Sequence, residues 1–284
     1  MALERNMAQL EAYKRQQSDE QATLKERMSK IKHKIAIISG KGGVGKSTVT
    51  VNLATAFAMQ GKRVGVLDAD IHGPSVPRLL GLEGKQAEAV LSGVIPVDGP
   101  LGMKVMSIDF FLPEQAPTIW RGPLKMRAIR QFLTDTVWGD LDFLFIDLPP
   151  GTGDEPLSIA QLIPDIDGVV IVTMPSDLSS SIVKKAITFA QRLNMPIIGV
   201  VENMSGFICP HCGQKTEIFQ SGGGKKMAQE MNVTFLGSIP IDPEVGVDSD
   251  KGTPFVLSHK DSAATKAFME IVNYVDEYVK NEQK

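Results

Sequence analysis

The chain is poor in cysteine, in net charge and in long apolar runs, and each scarcity removes a class of protein. Its 284 residues contain two cysteines, Cys209 and Cys212, too few and too close together for a disulfide framework. A net charge of -3 supplies no field for a nucleic-acid partner. No apolar run approaches the roughly 18 residues of a membrane span, and the opening Met-Ala-Leu-Glu-Arg-Asn has no apolar signal core. The expected address is therefore the cytoplasm, with no membrane partner. There is no internal repeat and no low-complexity tract. What remains is an ordinary α/β composition, 43% hydrophobic, at a length that lets one large domain bury a proper core.

Against that plain background stands Gly40-Lys41-Gly42-Gly43-Val44-Gly45-Lys46-Ser47-Thr48. It fits the phosphate-cradling pattern of Gly, four residues, Gly, Lys and Ser or Thr. The apolar run 34–39 before it suits a buried parallel strand, and 46–60 after it suits a helix. Glycines let the backbone come close to a ligand, and the helix N-terminus presents partial positive charge to phosphate. Lys46 would meet the β- and γ-phosphates of a nucleotide, Ser47 a Mg²⁺ ion, and Thr48 the α-phosphate. Lys41 is a second cation at the start of the loop. It reads either as a solvated surface lysine or as a charge offered to a neighbouring subunit's nucleotide.

Residues 1–33 are charged, carry no Gly or Pro and favour helix. Leu3, Met7 and Leu10, and again Leu24, Met28 and Ile31, fall at helical spacing, a thin stripe that reads as a partly ordered arm. From residue 34 to 284 strands and helices alternate as one ATPase-like domain. Strands are expected at 34–39, 63–67, 104–108, 143–147, 168–173, 197–202 and 234–239. Helices are expected at 46–60, 124–137, 155–163, 178–193, 224–231 and 262–279, with a hairpin excursion at 84–103. The fold class is α/β, doubly wound, with a mostly parallel sheet of about seven to eight strands flanked by helices.

Two apolar strands end in acids. Strand 143–147 closes on Asp147, the expected magnesium carboxylate, followed by Leu-Pro-Pro-Gly-Thr-Gly. In that segment the Gly151 N–H could swing toward a γ-phosphate, as a switch loop does. Strand 63–67 leads into Asp68-Ala69-Asp70. Asp70 is the choice for activating water and Asp68 for a structural or magnesium role. The base is read as adenine, because a guanine-reading Asn-Lys-x-Asp is absent and His259-Lys260-Asp261 lacks the pattern. Asn203, at the end of strand 197–202, could pair with a base edge or cap a turn.

Cys209-Pro-His-Cys212-Gly213 is the second feature with chemistry. A redox dithiol needs its first thiol at a helix N-terminus, whereas the residues after Gly213 suggest a turn into an extended strand. A metal knuckle fits better, with two thiolates on one side of a tight loop. Zinc and iron–sulfur clusters mostly take four ligands, and a second copy of the chain across a two-fold axis would supply the other pair. The knuckle does not choose between zinc and a [4Fe–4S] cluster. The same homodimer would carry Lys41 toward the opposite nucleotide.

Taken together, these residues resemble the Mrp/ApbC-type iron–sulfur carrier ATPases of the MinD/ParA-like, deviant-Walker branch of P-loop proteins. The resemblance covers about 34–280. It rests on the phosphate loop, Leu67-Asp68-Ala69-Asp70-Ile71-His72-Gly73-Pro74-Ser75, Trp120-Arg121-Gly122-Pro123, Ile146-Asp147-Leu148-Pro149-Pro150-Gly151-Thr152-Gly153-Asp154 and Glu202-Asn203-Met204-Ser205 with the cysteine pair. It implies an ATP-hydrolysing homodimer that holds a transferable [4Fe–4S] cluster between Cys209 and Cys212 of both subunits. The cluster would come from assembly proteins and go to apo iron–sulfur acceptors. It further implies that Lys41 acts in trans, that Asp70 belongs to a first switch and Asp147 opens a second. It also places Pro240 and Asp242, in the loop Ile239–Pro243, near the adenine. Some relatives carry an N-terminal cysteine cluster or an extra domain, and this chain shows only its charged arm. Two other readings compete: a spatial switch of the MinD/ParA kind, disfavoured by the charged and weakly amphipathic Tyr274–Lys284, and a zinc-stapled regulatory ATPase.

Overall fold

A computed structural model of the chain describes residues 15, 18–112, 122–175, 177–209, 211–219 and 222–282. Trp120 and Arg121, Pro210, and the stripe Leu3, Met7 and Leu10 lie outside the described residues. Helix α1 spans 18–29. It is followed by β1 (Ile31–Ile38), α2 (Lys46–Met59), β2 (Val64–Asp68), α3 (Val76–Leu79), β3 (Glu88–Val90), β4 (Gly93–Ile95), β5 (Val97–Asp98) and β6 (Lys104–Met106). Next come α4 (Gly122–Asp135), β7 (Leu141–Asp147), α5 (Asp154–Leu162), β8 (Gly168–Thr173), α6 (Asp177–Arg192) and β9 (Ile197–Glu202). The chain closes with β10 (Phe207–Ile208), β11 (Lys215–Thr216), α7 (Gly223–Glu230), β12 (Phe235–Ser238), α8 (Pro243–Lys251), α9 (Phe255–Ser258) and α10 (Ala263–Glu282).

Eight strands form one sheet in the order β12-β9-β8-β1-β7-β2-β6-β5. Only the edge strand β5 runs antiparallel, on β6. Central strands β1, β2, β7 and β8 are buried along almost their whole length, as a sheet covered on both faces requires. One face packs Phe57 of α2 and Phe268, Ile271, Val272 and Val275 of α10. The other packs Ile129 and Leu133 of α4, Ile159 of α5 and Ala186 and Ile187 of α6. Because β2, β7, β1, β8 and β9 run parallel, their C-terminal ends lie together on one edge of the sheet. There β1 feeds the glycine loop, β2 ends at Asp68, β7 at Asp147 and β9 at Glu202.

Several boundaries differ from the sequence expectation. The strand expected at 34–39 begins at Ile31, because Lys32, His33 and Lys34 disguise its alternation. His33 and Lys34 are nonetheless buried, each beside the carboxylate of Asp167, at 3.6 and 3.7 Å. Ile31 is thus a strand residue and not the end of a helical stripe. The strand expected at 104–108 stops at Met106, and Ile108–Phe111 turns into a 3-10 helix capped by Ser107, whose hydroxyl accepts from the Asp109 N–H at 3.3 Å. Within 84–103, β3 and β4 form the anticipated hairpin, and β5 adds a sheet edge that the reading did not separate. The short helices α3, α8 and α9 were too brief to show a period. Helix α10 lays Ala264, Phe268, Ile271, Val275 and Val279 into the core, so its apolar stripe is covered by the protein's own sheet.

Residues 18–29 are also more than an arm. Met28 is 2% exposed and belongs to the same buried cluster as Ile31, Trp138 and Leu141, with Leu24 packed against that cluster. The Arg27 guanidinium donates to the Ser92 carbonyl. Met28→Ala is expected to cost about 2 kcal/mol or more, read by urea unfolding. A loss under about 0.5 kcal/mol would mean that α1 does not belong to the core.

Candidate functional site

The glycine loop leaves β1 at Ser39 and enters α2 at Lys46. Gly45 caps the helix with φ 77°, a left-handed conformation that suits glycine. A Cβ there would also stand 2.3 Å from the Asn203 amide nitrogen. Gly40 lies against Ile182 of α6, Gly42 faces Pro150, and nothing lies within 4 Å of a Cβ position on Gly43. Gly42 and Gly43 are exposed, Val44 is buried, and Ser47 and Thr48 are half-buried. The outer face of the loop and the first turn of α2 are therefore open, as an anion site at a helix N-terminus needs.

Lys46 does not point into solvent. It is 6% exposed, and its Nζ lies 2.7 Å from Asp147 Oδ1. Ser47 Oγ donates to Asp147 Oδ2 at 2.6 Å and Thr50 Oγ1 to Oδ1 at 2.7 Å. Asp147 is fully buried and so draws the start of α2 onto the end of β7. In the parallel register, Asp68 is the direct neighbour of Asp147. Asp68 accepts from the N–H groups of Asp70 at 3.2 Å and of Ser75 and Val76 at 3.1 Å, and from Ser107 Oγ at 3.4 Å. Burial, then the Asp147 charge, push its carboxyl up to about 8, against the pull of Lys46 and the backbone donors. Two buried carboxyl groups thus share the field of one ammonium, and the Asp68 carboxyl is held well above the ordinary carboxylate range.

Asp70, by contrast, is half-exposed at the mouth and accepts from the Gly73 N–H at 3.3 Å. Lys41 is half-buried, and among the described residues it makes no ion pair; its carbonyl accepts from Ser39 Oγ at 3.0 Å. The Gly151 N–H donates to the Ser39 carbonyl at 2.8 Å, so presenting it to a phosphate requires that bond to open. Asn203 is buried, and its Nδ2 donates to the Val44 carbonyl at 3.0 Å. Its amide thus braces the loop rather than standing free for a base edge. Asp242 caps α8 by accepting from the Glu244 N–H at 3.1 Å. Pro240, two residues earlier, follows a segment that returns toward β9 through Ile239 N–H to the Glu202 carbonyl at 2.8 Å.

Cys209 and Cys212 sit on a separate hairpin, β10 with β11. Cys209 N–H donates to the Gln214 carbonyl at 3.0 Å, and Gly213 N–H returns to the Cys209 carbonyl at 2.8 Å. Gly213 takes φ 71°, the left-handed turn that closes the knuckle. The N–H groups of Cys212 and then His211, with the Cys212 thiol, aim at the Cys209 sulfur and pull its pKa below the ordinary thiol value. Both cysteines are free, Cys209 half-buried and Cys212 exposed. Among the described residues no third His, Cys, Asp or Glu joins them. The apolar side chains of Ile208, Ile218 and Phe219 stand exposed along the same hairpin, at 37%, 55% and 41%.

The structure thus brings Lys46, Ser47, Asp68 and Asp147 into one cluster, with Asn203 behind the loop and the thiols on their own hairpin. Thr50 and Ser107 were not singled out in the sequence, and Glu202 stood there only as the first residue of the motif Glu202-Asn203-Met204-Ser205, with no role of its own. For Glu202 a signal existed, an acid ending the apolar strand 197–202 just as Asp147 ends its own.

A family profile described as ParA, NUBPL iron-transfer P-loop NTPase, matches residues 30–276. An iron–sulfur cluster carrier protein of Methanocaldococcus jannaschii is 55% identical over 268 residues, 94% of this chain and 92% of that one. A cytosolic Fe-S cluster assembly factor NUBP2 homolog of Dictyostelium discoideum is 46% identical over 255 residues, 87% of this chain and 96% of its own. A nucleotide-binding protein of Archaeoglobus fulgidus, solved in complex with ADP and with cobalt, superposes with a TM-score of 0.75. It is 46% identical, over 82% of this chain and 91% of that one.

The Asp68–Asp147 pair sets a pH dependence. In the unfolded chain Asp68 ionises near 3.8, and in the fold near 8. Between those values the native state keeps a proton that the unfolded state releases, so stability falls as pH rises. Without nucleotide or magnesium, the thermal midpoint should drop from about pH 5 to about pH 8, and Asp68→Asn should flatten the slope. An equal slope in Asp68→Asn would place the titrating group elsewhere.

Proposed function

The chain belongs to the family of NUBPL-type iron-transfer P-loop NTPases, and from that premise we propose that it is an ATP-hydrolysing homodimer that carries a [4Fe–4S] cluster between its subunits to apo-proteins. The observation that carries this reading is the bare pair of thiols on an exposed hairpin. Two thiolates satisfy half of the four-ligand set that zinc and most clusters take. A second copy related by a two-fold axis completes it, and the exposed Ile208, Ile218 and Phe219 offer apolar area for that contact. A cargo held by two thiolates from each chain leaves when the chains part, which suits a carrier. The name of the Dictyostelium relative supports a cytoplasmic setting.

The nucleotide would lie along the open face of Gly40–Thr48, its phosphates on the N–H groups of Gly42, Gly43, Val44 and Gly45. In this reading Lys46 turns from Asp147 to the phosphates. Magnesium takes hard oxygen ligands, and the Ser47 hydroxyl and Asp147 carboxylate supply two of them. The excess of buried carboxylate over ammonium, visible in the raised Asp68, favours a cation at that place. Bound there, magnesium would neutralise charge on the phosphates. Asp70, at the mouth, orients the attacking water. Gly151 signals the γ-phosphate through its N–H, and Lys41, which makes no ion pair among the described residues, reaches the partner's nucleotide. The Pro240–Asp242 loop flanks the adenine, while Asn203 braces the phosphate loop from behind.

Cluster transfer tests the carrier reading. Anaerobically reconstituted protein should pass its cluster to an apo-ferredoxin, and Cys209→Ser should pass none. Equal behaviour of the two, or no transfer at all, contradicts it. Lys41→Ala should keep nucleotide binding and lose at least about tenfold in hydrolysis rate, whereas an unchanged rate would leave Lys41 a surface lysine.

A further inference from the structure

Glu202 is fully buried, and among the described residues the donors to its carboxylate come from the two ends of the cysteine excursion. Oε1 accepts from Ser205 Oγ at 2.7 Å, on the way out of β9, and from Gly222 N–H at 3.1 Å, on the way back. Oε2 accepts from Gly224 N–H at 2.7 Å, in the first turn of α7. A buried carboxylate with three donors is a fixed point. It gathers both ends of the segment that carries the thiols.

The residues between that fixed point and the hairpin touch the nucleotide loops. Asn203 Nδ2 donates to Val44 of the phosphate loop. Met204 holds φ 58°, a sparsely populated conformation for a residue with a side chain. Its Cε lies 3.4 Å from where a Cβ of Gly45 would stand. Ser205 N–H donates to the Ile239 carbonyl at 2.8 Å, and Ile241 N–H to the Gly206 carbonyl at 2.7 Å. Phe207, the first residue of the hairpin, bridges Ile241. A span of a few residues is therefore in direct contact with the phosphate loop on one side, the Pro240–Asp242 loop on the other, and the thiol hairpin beyond.

We propose that Glu202–Gly206 links the phosphate loop to the cysteine hairpin, with Glu202 as the positioning residue that makes the two ends of the hairpin move as one body. When phosphate draws in the Val44–Gly45 backbone, Asn203 and Met204 follow their contacts, and Ser205 and Gly206 follow them. Because Glu202 clamps the outgoing and returning strands together, the shift reorients Cys209 and Cys212 instead of dissipating in one strand. The strained Met204 gives the span a second backbone state to move into. The inference rests on the proposed reading that the loop binds nucleotide and the thiols hold cargo, and it names how one regulates the other.

The chain's only two thiols are the reporters. Full-length, iron-free protein is alkylated with iodoacetamide, alone and with saturating magnesium and a non-hydrolysable ATP analogue. The wild type should show at least an about fivefold change in the rate of thiol alkylation on binding. Glu202→Gln places an amide N–H₂ against these donors. It should bind the analogue within about twofold of wild type while the rate ratio falls to about one. If Glu202→Gln does not fold, Ser205→Ala, which removes one of the three donors, is read in its place and should give an intermediate ratio. A wild-type ratio of one, or an undiminished ratio in the folded, nucleotide-bound variant, overturns the link. Because no iron is present, these outcomes are separate from the carrier reading. A normal ratio in protein that never holds a cluster would sink that reading alone, and normal cluster transfer with a ratio of one would sink the link alone.

Discussion

One buried ion pair organises this molecule. Lys46 and Asp147 meet at 2.7 Å with side chains 6% and 0% exposed, on a helix start and a strand end that are far apart in sequence. Around them the Ser47 and Thr50 hydroxyls complete the acceptor capacity of the carboxylate. Charges so buried are tolerated only when paired and hydrogen-bonded, and removing one partner typically costs about 3–5 kcal/mol. The pair therefore locks α2 to β7 and holds the glycine loop open above them. Asp68, one strand over, carries the electrostatic consequence: burial and the Asp147 charge raise its carboxyl well above the ordinary carboxylate range.

From that centre the structure runs outward in two directions. Toward the mouth it loosens, through half-exposed Asp70, the exposed backbone of Gly42 and Gly43, and the Gly151 N–H hung on Ser39. Toward β9 it is tied together by side-chain hydrogen bonds, Asn203 to Val44 and Glu202 to both ends of the thiol segment. The cysteine hairpin beyond is the least self-sufficient part, with two free thiols and three exposed large apolar side chains. A hairpin of two-residue strands is marginal alone, and these features are what a second copy of the chain would cover.

Much of the fold was legible because its strands are buried on both faces and read as unbroken apolar runs, and because the glycine loop has a fixed strand-loop-helix context. Lys46, Ser47 and Asp147 could be placed together from that pattern. What the sequence hid had local causes. Lys32, His33 and Lys34 masked the start of β1, since their burial depends on Asp167, which is remote in sequence. Met28 looked like part of a thin stripe because the buried cluster it joins is built mostly from remote segments. Asp68 and Asp70 were near-equivalent in sequence, and only the donors from Ser75, Val76 and Ser107 separate a clamped carboxyl from an open one. Glu202 stood only within a motif, with no role of its own, because its donors lie up to 22 residues away, across an excursion whose path the sequence does not give.

The central claim is that the cargo is shared between two chains, each giving one thiol pair. Native mass spectrometry of anaerobically reconstituted, nucleotide-loaded protein weighs that claim directly. The account predicts a species of two chains with a single four-iron, four-sulfide cluster, lost in Cys212→Ser. Single chains that each retain their own metal would contradict it.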